Sequence, residues 1–434
     1  MIDPDRLANP GEGWVSREVY WDPAVYEAEL ERIFARCWLF VAHESQLPNP
    51  GDFLTTRMGQ DGVIVTRRRD GQLAAYLNSC PHRGNKVCHA EAGNARGFVC
   101  NYHGWSFGLD GRLLGMWQQS TFEKSAGYDA GTLGLVPVAQ IESYKGLVFA
   151  TFDPLAPPLD EYLGDFRWYL DVLLDNDDGG TEFLPGCIRS VLHCNWKVAA
   201  ENFAGDALHA GWTHDSGARA MLGQGLKGDI DPSSSYSINV NGHCWEFALD
   251  MVGNAATFGD RTVARYIRNR AEDVEARLGK LRARMIGAAS SVNVFPNFSF
   301  LPGQNSFRVW FPRGPQETEL HTWVLVNRRH PPEIKEAYRR GAMLTFSPSG
   351  LFEMDDGENW EQTTLVNAGV VTRRQKLWFG LGQGTRVAHD EFPGNVFQGQ
   401  INDANQRAFY RRWAQLLGAD TWADVKGDPG TDQQ

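Results

Sequence analysis

The spacing of apolar positions along this chain changes character twice. Asp22-Pro23 offers an N-cap carboxylate and a first-turn proline, and Val25, Leu30, Ile33, Phe34 and Cys37 follow at helical spacing. This predicts an amphipathic helix of about four turns. Past Leu47–Gly51 the period shortens. The stretches 52–59, 62–71 and 72–79 alternate apolar with polar and are punctuated by glycine, as hairpin strands are. More strands are expected at 97–99, 105–109 and 147–152. Residues 40–155 therefore predict a small all-β unit. Ala156-Pro157-Pro158 marks a boundary, beyond which the pattern is mixed. Strands are expected at 187–196, 235–247, 291–300, 306–311, 319–327 and 370–378. Helices are expected at 196–208, 262–286, 332–344 and 403–417, the second charged on most faces and so at the surface. Antiparallel strands interrupted by helices indicate an α+β class, not alternating βαβ units. The expected organisation is an N-terminal helical segment (1–39) packing with the last domain, the β unit (40–155), and an α+β domain (156–434).

Composition narrows this picture. A chain of 434 residues exceeds one ordinary core, and 42% hydrophobic content with 24 Phe and 15 Trp supplies several. A formal charge of −11 disfavours nucleic acid and anionic membrane, both of which reward basic surface. The 7 cysteines show no disulfide framework, which favours a reducing compartment. The N-terminus lacks an apolar signal core, and no apolar run is long enough to span a bilayer. A cytoplasmic location is expected, with residues 425–434 frayed.

Candidate chemistry concentrates in two places. Cys80-x-His82 is followed, after seventeen residues, by Cys100-x-x-His103. Two thiolates can hold one iron of a [2Fe–2S] cluster and two neutral imidazoles the other. Zinc accepts the same four ligands, but a zinc finger usually opens with two cysteines. Gly223-x-Gly225-x-x-Gly228 matches a dinucleotide fingerprint as a string, yet no βαβ pattern surrounds it, and Gly380, Gly382 and Gly384 are equally uninformative. The chain should thus receive electrons from another protein.

The second place is residues 201–214, ENFAGDALHAGWTH. His209 and His214 are five apart, about 500° of helix, so they can share an ion only if the helix ends or bulges between them, for which Gly211 is available. Asp206 lies three residues before His209. A third ligand must come from afar, and the acidic stretch 353–358 (Glu353, Asp355, Asp356, Glu358) is the best candidate. Two imidazoles and a carboxylate form the facial triad of non-haem Fe(II) oxygenases, which leaves positions open for dioxygen. By itself a His pair at this spacing is a weak signal, more often ordinary buried or capping histidine. An electron carrier in so long a chain, however, needs a consumer.

Together these motifs resemble the large (alpha) subunit of bacterial Rieske non-haem iron aromatic-ring-hydroxylating dioxygenases. Cys80, His82, Cys100 and His103 match the Rieske pattern one for one, with Arg83-Gly84 and Gly104-Trp105 flanking. Asn202, Asp206, His209 and His214 match the family's Asn-x3-Asp-x2-His-x4-His. The resemblance implies a small all-β Rieske domain plus a larger α+β catalytic domain of helix-grip, START-like form. It implies one [2Fe–2S] cluster and one mononuclear Fe(II) per chain, the latter held by His209, His214 and Asp356, with Asp355 the alternative. Asp206 corresponds to an aspartate bridging the two metals of neighbouring subunits, and Asn202 to an iron-proximal residue. Asn202, Phe203, Ala207 and Phe346 correspond to pocket positions. The implied partners are two further alpha subunits, small beta subunits, and a reductase with or without a ferredoxin, spending NAD(P)H indirectly. The implied reaction is cis-dihydroxylation of an aromatic ring with O2. A Rieske monooxygenase or demethylase is the alternative, and a pure electron carrier would need little beyond the β unit. Arg308, Arg189 and Arg219 are candidate cations should the substrate carry a carboxylate.

Overall fold

Helix formation at the N-terminus follows the expected start: Asp22 accepts a hydrogen bond from the Ala24 N–H, and Pro23 opens the helix. In the computed structural model, which describes residues 2–223, 225, 231–250, 261–287 and 290–427, that α-helix is shorter than expected. It covers Pro23–Glu29 (α1) and passes into a π-helical turn, Leu30–Phe34. Two compact units emerge: Phe34–Ala156, and Met1–Ile33 together with Pro157–Gln434. Gly228 of the glycine string and residues 428–434 of the expected frayed end lie outside the described residues.

The first unit is built from antiparallel strands. Leu73–Leu77, Asp61–Arg67, Asp52–Met58 and Ala92–Asn94 form one sheet in that order. Gly97–Val99, Ser106–Gly108 and Leu113–Gly115 form a second. Leu39–His43, Leu147–Thr151 and Gln140–Tyr144 form a third. Phe53, Ile64, Tyr76, Phe98, Trp105 and Phe107 make a core that also takes in Cys80 and Cys100.

The larger unit centres on an antiparallel sheet. Its strands run in the order Thr181–Phe183, Glu317–Asn327, Ser306–Gly314, Phe298–Leu301, Ser291–Val294, His243–Ala248, Ser235–Val240, Asn395–Gln398 and Arg386–Val387, with Ile188–Leu192 also paired to Glu317–Asn327. The run 235–247, read as one strand, is a hairpin turned at Asn241-Gly242, both at positive φ. Asn-Gly is a favoured two-residue hairpin turn, so this was legible. The helical run 262–286 divides into Arg261–Asn269, Ala271–Leu278 and Lys280–Ala283. Of 370–378 only Lys376–Trp378 is strand.

Six more helices place the site: Trp196–Gly205 (α2), Ala207–Thr213 (α3), Asp215–Leu222 (α4), Pro332–Thr345 (α5), Glu353–Asn367 (α6) and Ala404–Gly418 (α7). Sequence periodicity did not predict α6. α2 packs on the sheet beside α7, with Trp196 and Phe295 both against Phe409. Beneath them Lys197 pairs with Glu29 of α1 at 2.6 Å, both side chains fully buried. The indole N–H groups of Trp196 and Trp413 each donate to Glu29 at 2.8 Å. Removing one partner of such a pair costs about 3–5 kcal/mol, because the other charge is left buried alone.

Candidate metal centres

The four cluster candidates sit on two loops with one backbone design. The Cys80 N–H donates to the Asn85 carbonyl and the Gly84 N–H to the Cys80 carbonyl, both at 2.8 Å. In the second loop the Cys100 N–H donates to the Trp105 carbonyl at 2.8 Å and the Gly104 N–H to the Cys100 carbonyl at 3.0 Å. Gly84 and Gly104 adopt φ of +72° and +71°, a left-handed turn that a side chain would strain. Both sulfurs belong to buried residues, while the two imidazoles are only half-buried. The rings of His82 and His103 lie 4.5 Å apart, and His82 stacks on Trp105 at 4.8 Å with 3° between planes.

The donor set suits a two-iron cluster. His82 Nδ1 is buried with no hydrogen-bond partner, a lone pair in want of a ligand. Burial and the neighbouring His103 hold His82 below the usual imidazole range, favouring the neutral form that binds metal. Burial opposes ionisation of Cys100, but the Tyr102 backbone and the Asn85 amide outweigh it and lower the thiol. That amide lies 3.7 Å from the sulfur.

The second centre is assembled at helix junctions. The segment 196–208, read as one helix, breaks at Asp206 (φ −121°, ψ 59°), whose side chain caps α3 by accepting from the His209 N–H at 3.3 Å. The next interruption falls at His214 (φ −91°, ψ 4°), between α3 and α4, so Gly211 stays helical. These two joints turn the imidazoles inward. From the first turn of α6, Asp356 Oδ1 comes within 3.4 Å of His209 Nε2 and 3.2 Å of His214 Nε2. The ligand atoms of His209, His214 and Asp356 all lie within 4.8 Å of one another. Asp355 instead meets the outer nitrogen of His214, Nδ1, at 3.4 Å. Burial works against the Asp356 charge, but the two imidazoles prevail and hold its carboxyl down at about 2. An anionic oxygen facing two imidazoles is a fitting seat for a divalent cation.

Other groups surround these three. Asp206 Oδ2 lies 3.3 Å from His209 Nδ1 and accepts from the Asn202 amide at 3.1 Å. Asn202 therefore sits on the outer side of His209, facing Asp206. The Ala207 N–H donates to buried Glu246 at 3.0 Å. Phe352 lies 4.6 Å from the His214 ring and Phe346 lies 6.4 Å from it. Phe203 packs on Trp310 at 5.3 Å. Leu208 and Trp212, apolar neighbours that could have lined a pocket, are exposed. Arg308 is fully buried and bonded to Glu353, with the rings of Phe203, Trp310 and Phe346 5.0–5.4 Å away. Arg219 pairs with Asp215 at 2.9 Å, and Arg189 is exposed. A cavity of about 320 Å³ opens beside the centre, lined in part by Glu201, Asn202, Asp206, His209, Asp356 and Asp403. Glu201, Glu246 and Asp403 were missed in the sequence. Only the presence of an acid inside an otherwise apolar helix or strand could have flagged the first two.

Fold and donor sets define a Rieske-type oxygenase. Residues 37–135 match the Rieske [2Fe-2S] domain, and residues 159–419 match the catalytic domain of ring hydroxylating alpha subunits. The chain is 38% identical to the biphenyl dioxygenase alpha subunit of Metapseudomonas furukawaii, over 97% of this chain and 94% of that protein. It is 37% identical to a benzene 1,2-dioxygenase alpha subunit of Pseudomonas putida, over 97% and 95%. A solved naphthalene 1,2-dioxygenase with indole in its active site superposes with a TM-score of 0.91 at 34% identity, covering 96% of this chain and 95% of that one. The chain belongs to the alpha subunits of Rieske non-haem iron ring-hydroxylating dioxygenases. It is the terminal oxygenase component for O2-dependent hydroxylation of aromatic rings, with a Rieske [2Fe–2S] site and a mononuclear iron site of His-His-Asp type. Among the described residues, no helix is long and apolar enough to cross a membrane.

Proposed function

We propose that this subunit catalyses cis-dihydroxylation of an unsubstituted or hydrocarbon-substituted aromatic ring, as the names of its biphenyl, benzene and naphthalene relatives suggest. The observation that carries the reading is the triad of His209, His214 and Asp356 beside Phe346 and Phe352. The commitment of buried Arg308 to Glu353 argues against a carboxylated substrate. In this reading Cys80, His82, Cys100 and His103 hold the cluster. When bound, the two centres supply single electrons and the activation of dioxygen. The protein orients and shields them. Asp355 fixes the ring of His214 through Nδ1, and Asp206 with Asn202 fixes His209. The half-exposed imidazoles of His82 and His103 form the electron exit, and the partly exposed Asp206 is the receiving group for a neighbouring subunit's imidazole. The assembly is a ring of three alpha subunits with small beta subunits, cytoplasmic, fed by an NAD(P)H-dependent reductase with or without a ferredoxin.

The test is 18O2 labelling with biphenyl, benzene and naphthalene, using the purified oxygenase and its electron-transfer proteins. Two labelled atoms in one diol are expected. A single labelled atom, or a phenol, would favour a monooxygenase instead. Asp206→Asn should retain both metals and cut turnover by about 10- to 100-fold, the usual cost of losing a partner of a metal-bound imidazole. Unchanged turnover would remove the bridge.

A further inference from the structure

Ring hydroxylation consumes protons as well as electrons. Whether one or both oxygen atoms enter the ring, each turnover takes up two electrons from the electron-transfer chain and two protons. The residues assigned to the iron have no proton to spare, since they bind it through lone pairs. Glu201, on α2, has one. Its Oε1 accepts from the Tyr20 hydroxyl at 2.8 Å, and the Tyr20 and Tyr410 hydroxyls are 2.7 Å apart. Its Oε2 is buried with no hydrogen-bond partner. Glu201 also lines the cavity shared by Asp206, His209 and Asp356.

The surroundings keep this acid neutral. Burial pushes Glu201 up to about 8, and the charges of Asp206 and Asp403 act the same way, partly offset by the hydroxyls of Tyr20 and Tyr410. Burial raises both tyrosines well above their usual range, so they remain donors. Lys197, one turn earlier on α2, is held by Glu29. Asp403, just before α7, accepts from the Leu381 N–H at 2.9 Å. With Oε1 engaged as an acceptor from Tyr20, the proton of the neutral acid resides on Oε2.

We propose that Glu201 is the proton donor serving the mononuclear iron site, delivering one of the two protons of each turnover through the cavity it shares with His209 and Asp356. The inference rests on the hydroxylation reading above. In the step, the Oε2–H bond breaks and an O–H bond forms on oxygen derived from O2. The carboxylate left behind is steadied by the Tyr20 hydroxyl and regains its proton from water entering the cavity, which is polar and roomy enough to admit it.

Infrared difference titration of the holoenzyme tests this directly. Wild type should show two protonated carboxyl signals that disappear near pH 8, because buried Glu246 is also raised to about 8. Glu201→Gln should remove one of them and Glu246→Gln the other. In single turnover, Glu201→Gln should slow product formation by about 100-fold or more and raise the solvent deuterium isotope effect, with cluster absorbance and iron content unchanged. Tyr20→Phe removes a bond that favours the carboxylate. It should therefore move the carboxyl midpoint and the alkaline limb of the rate together to higher pH. A Glu201 found ionised at neutral pH, or a Glu201→Gln enzyme with wild-type rate and isotope effect, would overturn the proposal. Failure of the hydroxylation reading would look different: an intact Glu201 signal in a wild type that consumes O2 without labelling any aromatic product.

Discussion

The two metal sites of this chain are built on opposite plans. The proposed cluster ligands lie on two loops within one stretch of sequence, each closed by its own backbone hydrogen bonds and a left-handed glycine. The proposed ligands of the mononuclear site are two imidazoles from interrupted helices near residue 210 and a carboxylate from α6, more than 140 residues later. A loop site carries its geometry locally. A junction site borrows it from tertiary packing, here from Phe346, Phe352, Asp355 and the Arg308–Glu353 pair.

Ligand removal should separate the two most sharply. Cys100→Ser should abolish the visible cluster absorbance and all turnover while iron remains at the triad. His214→Ala should abolish turnover with the cluster spectrum intact. Loss of both metals in either variant would show that the sites are not independent. Next in size, Trp105→Ala removes a buried ring stacked on His82 and should cost the β unit about 3–5 kcal/mol, measured by denaturant titration. Asp355→Asn tests the borrowed geometry. Iron affinity should fall about 10- to 100-fold in a chelator competition, with the cluster unaffected. Smallest for each unit of pH is the effect on stability across the acid range. Burial lowers His243 to about 3, although its Nε2 bonds the Tyr162 carbonyl at 3.0 Å. An imidazole depressed below its ordinary 6.5 contributes stability above that pH, and this is lost as pH falls towards 3. The larger unit should therefore weaken by about 1 kcal/mol per pH unit over this window, and His243→Gln should flatten the slope.

The same contrast explains what the sequence revealed. Hairpin strands and the Cys/His spacing of the Rieske domain depend on neighbours in the chain, so period and motif pointed to them. Asp356 could not be separated from Asp355 by spacing, since adjacent residues on a helix differ only in direction. In the structure Asp356 faces the Nε2 atoms of both imidazoles, whereas Asp355 faces Nδ1 of His214. α6 escaped because its first turn turns acids inward, with Glu353 and Asp356 buried, and this masks helical periodicity. The helix break at Asp206 also went unseen. A capping aspartate and an i,i+3 surface aspartate look alike until the backbone is known.

The Glu29–Lys197 pair has a practical consequence for protein engineering. The larger unit is discontinuous: the segment before residue 34 belongs to it, and Glu29 of that segment is buried against Lys197 and Trp196 of α2 and Trp413 of α7. Chimaeras that exchange electron-transfer cassettes should therefore splice near residues 34 and 156 and retain the leader of the recipient. A fragment begun at residue 157 would strand Lys197 as a bare cation in the dark interior.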